Sequence, residues 1–383
     1  MRIVIAPDSF KDCLPAREVA SAMAEGVRRI FPESMIDSIP MADGGQGTVD
    51  AVLSATTGER RMVRVTGPLG SPIDASFALL SQGKMALMEM ASASGLELVP
   101  IEKRNPLRTT TLGTGELLRA VLETGVEHIL IGIGGSATND GGIGLAMALG
   151  YRLMDDSGAS VPLGGEGLFR LASIDSSSRH PRLSEVRIDV ACDVVNPLTG
   201  PTGASVVYGP QKGATPEMVA RLDEGMARLA KIVERDLGIE MDRPGAGAAG
   251  GLGGGLVAFA GATLRRGVEI VIHAVGLEER LVGADLCLTG EGRMDGQSSF
   301  GKTASGVADL AQKLGVPTVA IVGSRSGPTT LLHEAGMTAV FDITPGPMNL
   351  DQALADARNN IVDMAEQVAR LFFAGTRQRK SRS

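Results

Sequence analysis

Tryptophan is absent from this 383-residue sequence, and two tyrosines and nine phenylalanines complete its aromatic set. That excludes the aromatic platforms on which proteins stack unpaired bases, although a single adenine could still sit between aliphatic side chains. Cysteine is nearly as scarce. Cys13, Cys192 and Cys287 are odd in number and far apart, with no C-x-x-C pair, so neither a disulfide framework nor a cysteine zinc site is expected. Positive charge is also short, with 37 Lys and Arg against 44 Asp and Glu, a net −7. Such a chain offers no field to draw in nucleic acid or an anionic membrane. The basic stretch Arg377–Ser383 reads as a short solvated tail. No eighteen consecutive apolar residues occur, and the run within Met1–Asp8 is too short for a signal peptide, so a cytoplasmic protein without a membrane partner is expected. The histidines at 128, 180, 273 and 333 are scattered and form no cluster.

Glycine, by contrast, is abundant. Fifty-one residues is nearly double the ~7 per cent of average usage. They cluster between apolar stretches with no fixed period, which indicates loops of special geometry and not a flexible linker. Around them the hydrophobic pattern alternates between strand and helix. Ile3–Ala6 is an apolar run followed by a polar turn, after which Val19, Met23 and Val27 recur at helical spacing. Strand, glycine loop and helix follow again over 35–55 and over 286–314, with further strands at 318–322 and 339–343 and a final helix over about 350–373. This predicts an α/β protein with a doubly wound parallel sheet and helices on both faces. The middle differs: 61–90 reads as a three-stranded antiparallel meander, followed by a helix near 114–123, strands at 128–133 and 186–192, and a long helix over 216–237. The expected organisation is therefore a discontinuous domain, 1–65 plus 283–383, with a mixed α/β domain, 66–282, inserted into it. The active site is expected in the cleft between them.

Three glycine patterns match familiar nucleotide motifs. Gly296–Thr303 fits the phosphate-binding pattern G-x-x-x-x-G-K-[ST], but the strand before it ends near Thr289, too early for a true P-loop. The milder reading is a glycine turn that sets Lys302 at a helix N-terminus, a good anion site. Gly132–Ala137 fits the dinucleotide pattern and would make the chain a nicotinamide-dependent dehydrogenase. However, Thr138-Asn139-Asp140-Gly141-Gly142 follows at once and would interrupt the helix which that fingerprint requires. Gly245–Gly250 fits too, but lacks a preceding strand and reads as close backbone packing.

Ligands of open α/β sheets collect at the carboxyl ends of the strands. Four loops would meet there: Asp8-Ser9-Phe10-Lys11, Asp43–Gly47, Gly290–Asp295 and Gly323–Ser326. The inserted domain would offer Gly134–Gly142, Asp193–Pro197 and Gly209–Gly213. Phosphates, a metal ion and a small polar substrate fit this mixture of acids, bases and exposed backbone. A non-catalytic small-molecule sensor would fit it too. The segments Ala6–Lys11, Ala42–Thr48, Ile133–Gly142, Ala191–Val194, Gly209–Gly213 and Thr289–Arg293, taken in this order, resemble the bacterial type I glycerate kinases over nearly the whole chain. The resemblance implies ATP-dependent phosphorylation of D-glycerate at the 2-hydroxyl, with magnesium, in a two-domain enzyme with one flavodoxin-like α/β domain, discontinuous in the chain, and an inserted mixed α/β domain. As partners, D-glycerate and a second copy of the chain in a homodimer are the expectation. In the family pattern Asp295, Gln297, Gly301 and Lys302 have counterparts whereas Gly296 does not, so the P-loop match rests on one incidental glycine.

Phosphoryl transfer needs positioning and charge neutralisation more than reactive groups. Under the resemblance, Asp193 is the preferred base, with Asp295 second and Lys11 completing the catalytic set; Asp193 could equally serve only its turn. Asp43 and Glu291 are the magnesium candidates, unless they cap helices. Arg293 suits the substrate carboxylate as a bidentate partner. Asp8, Ser9, Ser136, Thr138 and Asn139 are the other substrate-binding candidates. Gly44, Gly45, Gly134, Gly135, Lys212, Gly290, Gly301 and Lys302 are assigned to nucleotide and phosphates. Asp140, ahead of two glycines, fits turn chemistry as well as it fits catalysis.

Overall fold

The computed structural model describes residues 1–11, 13–45, 47–295 and 303–380, with side chains placed for all of these except 295 and 376–380. Five parallel strands form one sheet in the order Ala339–Asp342, Thr318–Val322, Leu286–Thr289, Arg2–Ile5 and Met35–Ser38. The Leu286–Thr289 and Thr318–Val322 strands are buried throughout, as continuous apolar runs covered on both faces should be. Ile3, Ile5, Leu286, Leu288, Val319 and Ile321 pack on one face with the helices Ala16–Ile30 and Ala357–Lys380. Ala320 and Val322 pack on the other with Ala304 and Ala308 of the helix Thr303–Lys313.

A second sheet has six strands in the order Thr263–Arg265, Arg187–Ala191, His128–Gly132, Met85–Glu89, Pro72–Leu80 and Glu59–Thr66. The first four run parallel, and the last two turn the sheet antiparallel, as the meander pattern predicts. The long helix Pro216–Leu237 carries its signals at both ends: Thr215 accepts from Met218 N, Pro216 opens the first turn, and Gly238 closes it at φ +68°. By contacts the chain separates into a unit of 1–43, 50–56 and 271–383, containing the five-stranded sheet, and a unit of 44–49 and 57–270, containing the six-stranded one. No helix of the described residues is long and apolar enough to cross a membrane.

The final helix departs from expectation. Instead of one helix there are two, Leu350–Ala355 and Ala357–Lys380, separated at Asp356 with φ −93° and ψ 0°. The apolar stripe continues across this single residue, so periodicity alone cannot register the break.

Within the first unit, the helices Ala16–Ile30 and Ala357–Lys380 meet at Gly26. A Cβ there would lie 2.2 Å from the carbonyl oxygen of Val362 and 2.9 Å from the backbone nitrogen of Glu366. Replacing a helical glycine by alanine ordinarily gains up to about 1 kcal/mol. Here the partner is backbone and cannot step aside, so overpacking, at about 1–3 kcal/mol, should prevail. Gly26→Ala is expected to lower the urea unfolding midpoint; a raised midpoint would show that the helix contact is not tight.

Candidate active site

The five-stranded sheet reverses its strand order between Arg2–Ile5 and Leu286–Thr289, and a ligand crevice is expected just beyond that point. The loops leaving these strands are pinned together by main-chain bonds. Asp8 N donates to Gly290 O at 2.8 Å, Gly323 N to Glu291 O at 3.1 Å and Ser324 N to Gly292 O at 3.1 Å. Only glycine permits this approach: a Cβ on Gly290 would fall 1.9 Å from Ile321 O, and one on Gly323 would fall 2.3 Å from Gly292 O. Gly290 thus serves the packing of these loops. A cavity of about 860 Å³ opens beside it, lined by Asp8, Ser9, Lys11, Asp43, Glu291, Arg293, Thr303 and Ser324 among others.

Asp8 is the most buried of the cavity's carboxylates, with 7% of its surface exposed. Thr303 Oγ1 donates to its Oδ2 at 2.6 Å and Ser9 N to its Oδ1 at 2.6 Å. Burial pushes its carboxyl above the usual carboxylate range, with Asp43 nearby pushing the same way, while the Thr303 and Ser9 hydrogen bonds and Lys11 oppose the shift. Lys11 Nζ pairs with Asp43 Oδ2 at 3.1 Å, and that neighbour raises the lysine's pKa. Glu291 is half-buried, and Arg293 is exposed on the short strand Arg293–Asp295, opposite Ser324. Asp8, Ser9, Lys11, Asp43, Glu291 and Arg293 are therefore brought to one cavity. Asp43 and Glu291 supply hard oxygen donors of the kind magnesium takes, one or two carboxylates with phosphate oxygens and water completing its shell. Among the described residues no group of three or more acidic, histidine or cysteine side chains forms a metal cage.

Sequence reasoning lists Asp8 only as a substrate contact. Its distinguishing feature, the bond to Thr303, spans 295 positions of sequence and leaves no local signal. Thr303 is also the last letter of the P-loop pattern, and its hydroxyl donates to Asp8. Gly301 and Lys302 lie outside the described residues, as does the side chain of Asp295. Asp193 is exposed in the other unit, where its Oδ1 accepts from Gly267 N at 2.8 Å at the start of the helix Gly267–Val275.

The other unit carries its own buried charge. Lys212, 1% exposed, donates from Nζ to Ser136 Oγ at 2.6 Å and to Thr138 O at 2.7 Å. The sequence Pro210-Gln211-Lys212-Gly213 gives no sign of this, since a lysine in a turn ordinarily reaches solvent. Burial brings its pKa from 10.5 down to about 7, against the opposing pull of Asp140. Asp140 is fully buried and performs turn chemistry: its carboxylate accepts from Thr111 N, Thr111 Oγ1 and Gly142 N. Thr138 and Asn139 are likewise fully buried. Asn139 Nδ2 donates to Ser205 Oγ at 2.9 Å, while Thr138 Oγ1 and Asn139 Oδ1 find no partner among the described residues. Gly134 and Gly135, a few residues earlier in the same segment, are exposed.

The remaining glycines resolve by their neighbours. Gly44, at φ +82°, sits against Ala191 and Gly267, and Gly45 accepts from Thr48 Oγ1 at 2.6 Å. No helix opens off the dinucleotide-like pattern: the next one, Ile143–Ala148, begins only after Gly142 at φ +81°. That removes the structural basis for a nicotinamide dehydrogenase. In the 245–250 pattern a Cβ on Gly247 would meet Pro197 O at 2.1 Å and one on Gly250 would meet Thr138 O at 2.0 Å, which is packing.

Lys212 makes a testable contribution to stability. With a folded pKa of about 7 and an ordinary value of 10.5, the unfolded chain binds more protons between these limits. Stability from this group therefore rises with pH across that window and is flat below it. The Lys212→Met variant should lose that rise, so the difference between wild-type and variant stability should grow from pH 7 to 10; parallel curves over that range would show that the lysine is not depressed.

The family model for the glycerate kinase family matches residues 3–373. The chain is 48% identical over 378 residues to the glycerate 2-kinase of Escherichia coli (strain K12), covering 98% of this chain and 99% of that one. It is 50% identical over 368 residues to the glycerate kinase of Halalkalibacterium halodurans, covering 96% and 97% respectively. A crystal structure of a putative glycerate kinase 2 from Salmonella typhimurium LT2 superposes with a TM-score of 0.89 at 50% identity, covering 98% of this chain and 99% of that one. Spread over the full length and over both sheets, these matches leave one assignment: the chain belongs to the glycerate kinase family.

Proposed function

We propose that this protein transfers the terminal phosphoryl group of ATP to the 2-hydroxyl of D-glycerate, giving 2-phosphoglycerate and ADP. The observation that carries the reading is the convergence of a buried carboxylate, Asp8, with Lys11, Asp43, Glu291 and Arg293 on one cavity at the strand ends. Strand order, with the first strand flanked by the second on one side and the third, fourth and fifth on the other, supports a flavodoxin-like arrangement for this unit. The name of the Escherichia coli relative supports the 2-position.

Within this reading Asp8 replaces Asp193 as the carboxylate that orients the substrate hydroxyl and receives its proton. Its raised pKa brings it closer to the range in which a carboxylate acts as a base near neutrality. Arg293 clamps the glycerate carboxylate, and Lys11 meets phosphate oxygens. Asp43 and Glu291 would hold magnesium, which neutralises phosphate charge when bound. Gly134 and Gly135 offer exposed backbone to an anion, in a segment held by Lys212.

Coupled detection of ADP with D-glycerate tests the reaction, and phosphorus NMR of the product tests the position. Ligand binding without ADP formation would favour a sensor, and 3-phosphoglycerate would overturn the regiochemistry. For the base, Asp8→Asn is expected to lower kcat by about a hundredfold to ten-thousandfold with the KM for ATP little changed. Because only the ionised carboxylate accepts a proton, wild-type kcat/KM should fall toward acid with a midpoint above the ordinary Asp value of 3.8. That limb should vanish in Asp8→Asn, and its persistence would remove Asp8 from the role.

A further inference from the structure

The charged side chains described so far line only part of the cavity. Besides Phe10, Cys13 and the loop glycines, a continuous part of its wall comes from the segment 343–357 after the edge strand Ala339–Asp342. None of the residues that line the cavity from this segment is ionisable. Leu350 and Leu354 stand at i and i+4 on the helix Leu350–Ala355, with Ala353 between them on the same side. They are also conspicuously uncovered for leucines, 71% and 37% exposed. The helix that carries them has no buried residue, so its apolar side does not serve the core. The break at Asp356 separates it from the following helix, whose Ala357, Ile361 and Val362 do join the core.

We propose that this aliphatic shelf, Ile343, Pro347, Met348, Leu350, Ala353 and Leu354, seats the purine base of the phosphate donor. The inference rests on the kinase reading and adds the donor's orientation: base on the shelf, phosphates toward Lys11 and Glu291. Three observations carry it.

The first is size. Glycerate has only about seven non-hydrogen atoms, whereas cavities of about 300–1,000 Å³ suit ligands several times larger. A volume of about 860 Å³ calls for the larger substrate of the pair.

The second is polarity. Anion-binding and hard-oxygen groups line one part of the wall and uncharged, mostly apolar ones the other, which matches a molecule with a polyanionic end and a flat, weakly polar end. Glycerate, bearing a carboxylate and two hydroxyls on three carbons, has no apolar part to place there.

The third is exposure: Leu350 and Leu354 lie beside the cavity at 71% and 37% exposed, on a helix with no buried residue, so apolar area is available there for a ligand to cover. Aliphatic side chains can contact the faces of a base by area and exclusion of water.

The test fills the shelf. Ala353→Trp places a large side chain on an exposed helix, where folding should tolerate it, and blocks the base without touching the charged wall. The KM for ATP is expected to rise roughly tenfold or more, while the KM for D-glycerate and kcat at saturating ATP stay within about twofold. Calorimetry separates base from phosphates: ADP binding should weaken, and binding of inorganic tripolyphosphate, which has no base, should be unchanged. Retained tripolyphosphate binding also shows that the variant is folded. A rise in the KM for glycerate alone would assign the shelf to the acceptor and overturn the proposal while leaving the kinase reading intact. Unchanged ATP and ADP parameters would overturn it as well. Should the wild-type protein form no ADP from glycerate, the kinase reading fails, and ADP calorimetry on wild type and Ala353→Trp still decides the shelf.

Discussion

The first unit's cavity depends on how closely the main chains approach at the carboxyl ends of the parallel strands. Ordinary strands stand about 4.8 Å apart, and their loops diverge once pairing stops. Here pairing in effect continues past the strand ends, with Asp8 N on Gly290 O and Ser324 N on Gly292 O. Side chains at Gly290 or Gly323 would force these loops apart. Because they stay together, residues from separate βα units converge: Asp8 from the first, Glu291 and Arg293 from the third, Ser324 from the fourth. The convergence follows from steric absence.

The same closeness buries Asp8, and burial gives its carboxyl a property that solvent would erase. A carboxylate in water titrates near 3.8; one that is 7% exposed must be stabilised locally or take up a proton more readily. Thr303 and Ser9 supply partial compensation, enough to hold the group in place but not enough to cancel desolvation. Lys212 shows the complementary case in the other unit. It satisfies two acceptors, yet burial still governs it and lowers its pKa to about 7. Buried titratable groups of this kind reduce stability relative to apolar replacements, and positions at which folds retain them are disproportionately functional.

Most strands of the two sheets and the helices longer than ten residues could be read from periodicity, because both sheets bury apolar runs and the long helix Pro216–Leu237 carries ordinary end signals in Thr215-Pro216 and Gly238; short elements such as Thr263–Arg265 and Gly267–Val275 could not. Candidate loops could be read as well, since the rule placing ligands at strand carboxyl ends needs only strand order and direction. What could not be read was which loop residue is buried. Asp8 and Asp193 both follow apolar strands, and the local sequence does not distinguish them. Their partners do: Thr303 for the first, 295 residues on, and Gly267 for the second, 74 residues on. The shelf was hidden for another reason. Leu350, Leu354, Ala357 and Ile361 form one uninterrupted helical stripe, yet the first two line the cavity outside the core, Ile361 lies in the core, and Ala357, just past the turn at Asp356, touches both.

Glycine patterns mislead for a related physical reason. A motif such as G-x-x-x-x-G-K-[ST] specifies where a side chain is missing, but not what takes its place. Where another backbone fills the space, as Thr138 O does within 2.0 Å of a Cβ on Gly250, the glycine belongs to packing and no ligand can use it. Where the chain leaves glycine at the surface, as at Gly134 and Gly135, its amide groups remain available to an anion. The two uses are identical in sequence and mutually exclusive in space. The hydroxyl that closes a nucleotide pattern is subject to the same logic: Thr303 donates its proton to Asp8, and the group that would mark a P-loop instead holds a carboxylate of the cavity in position.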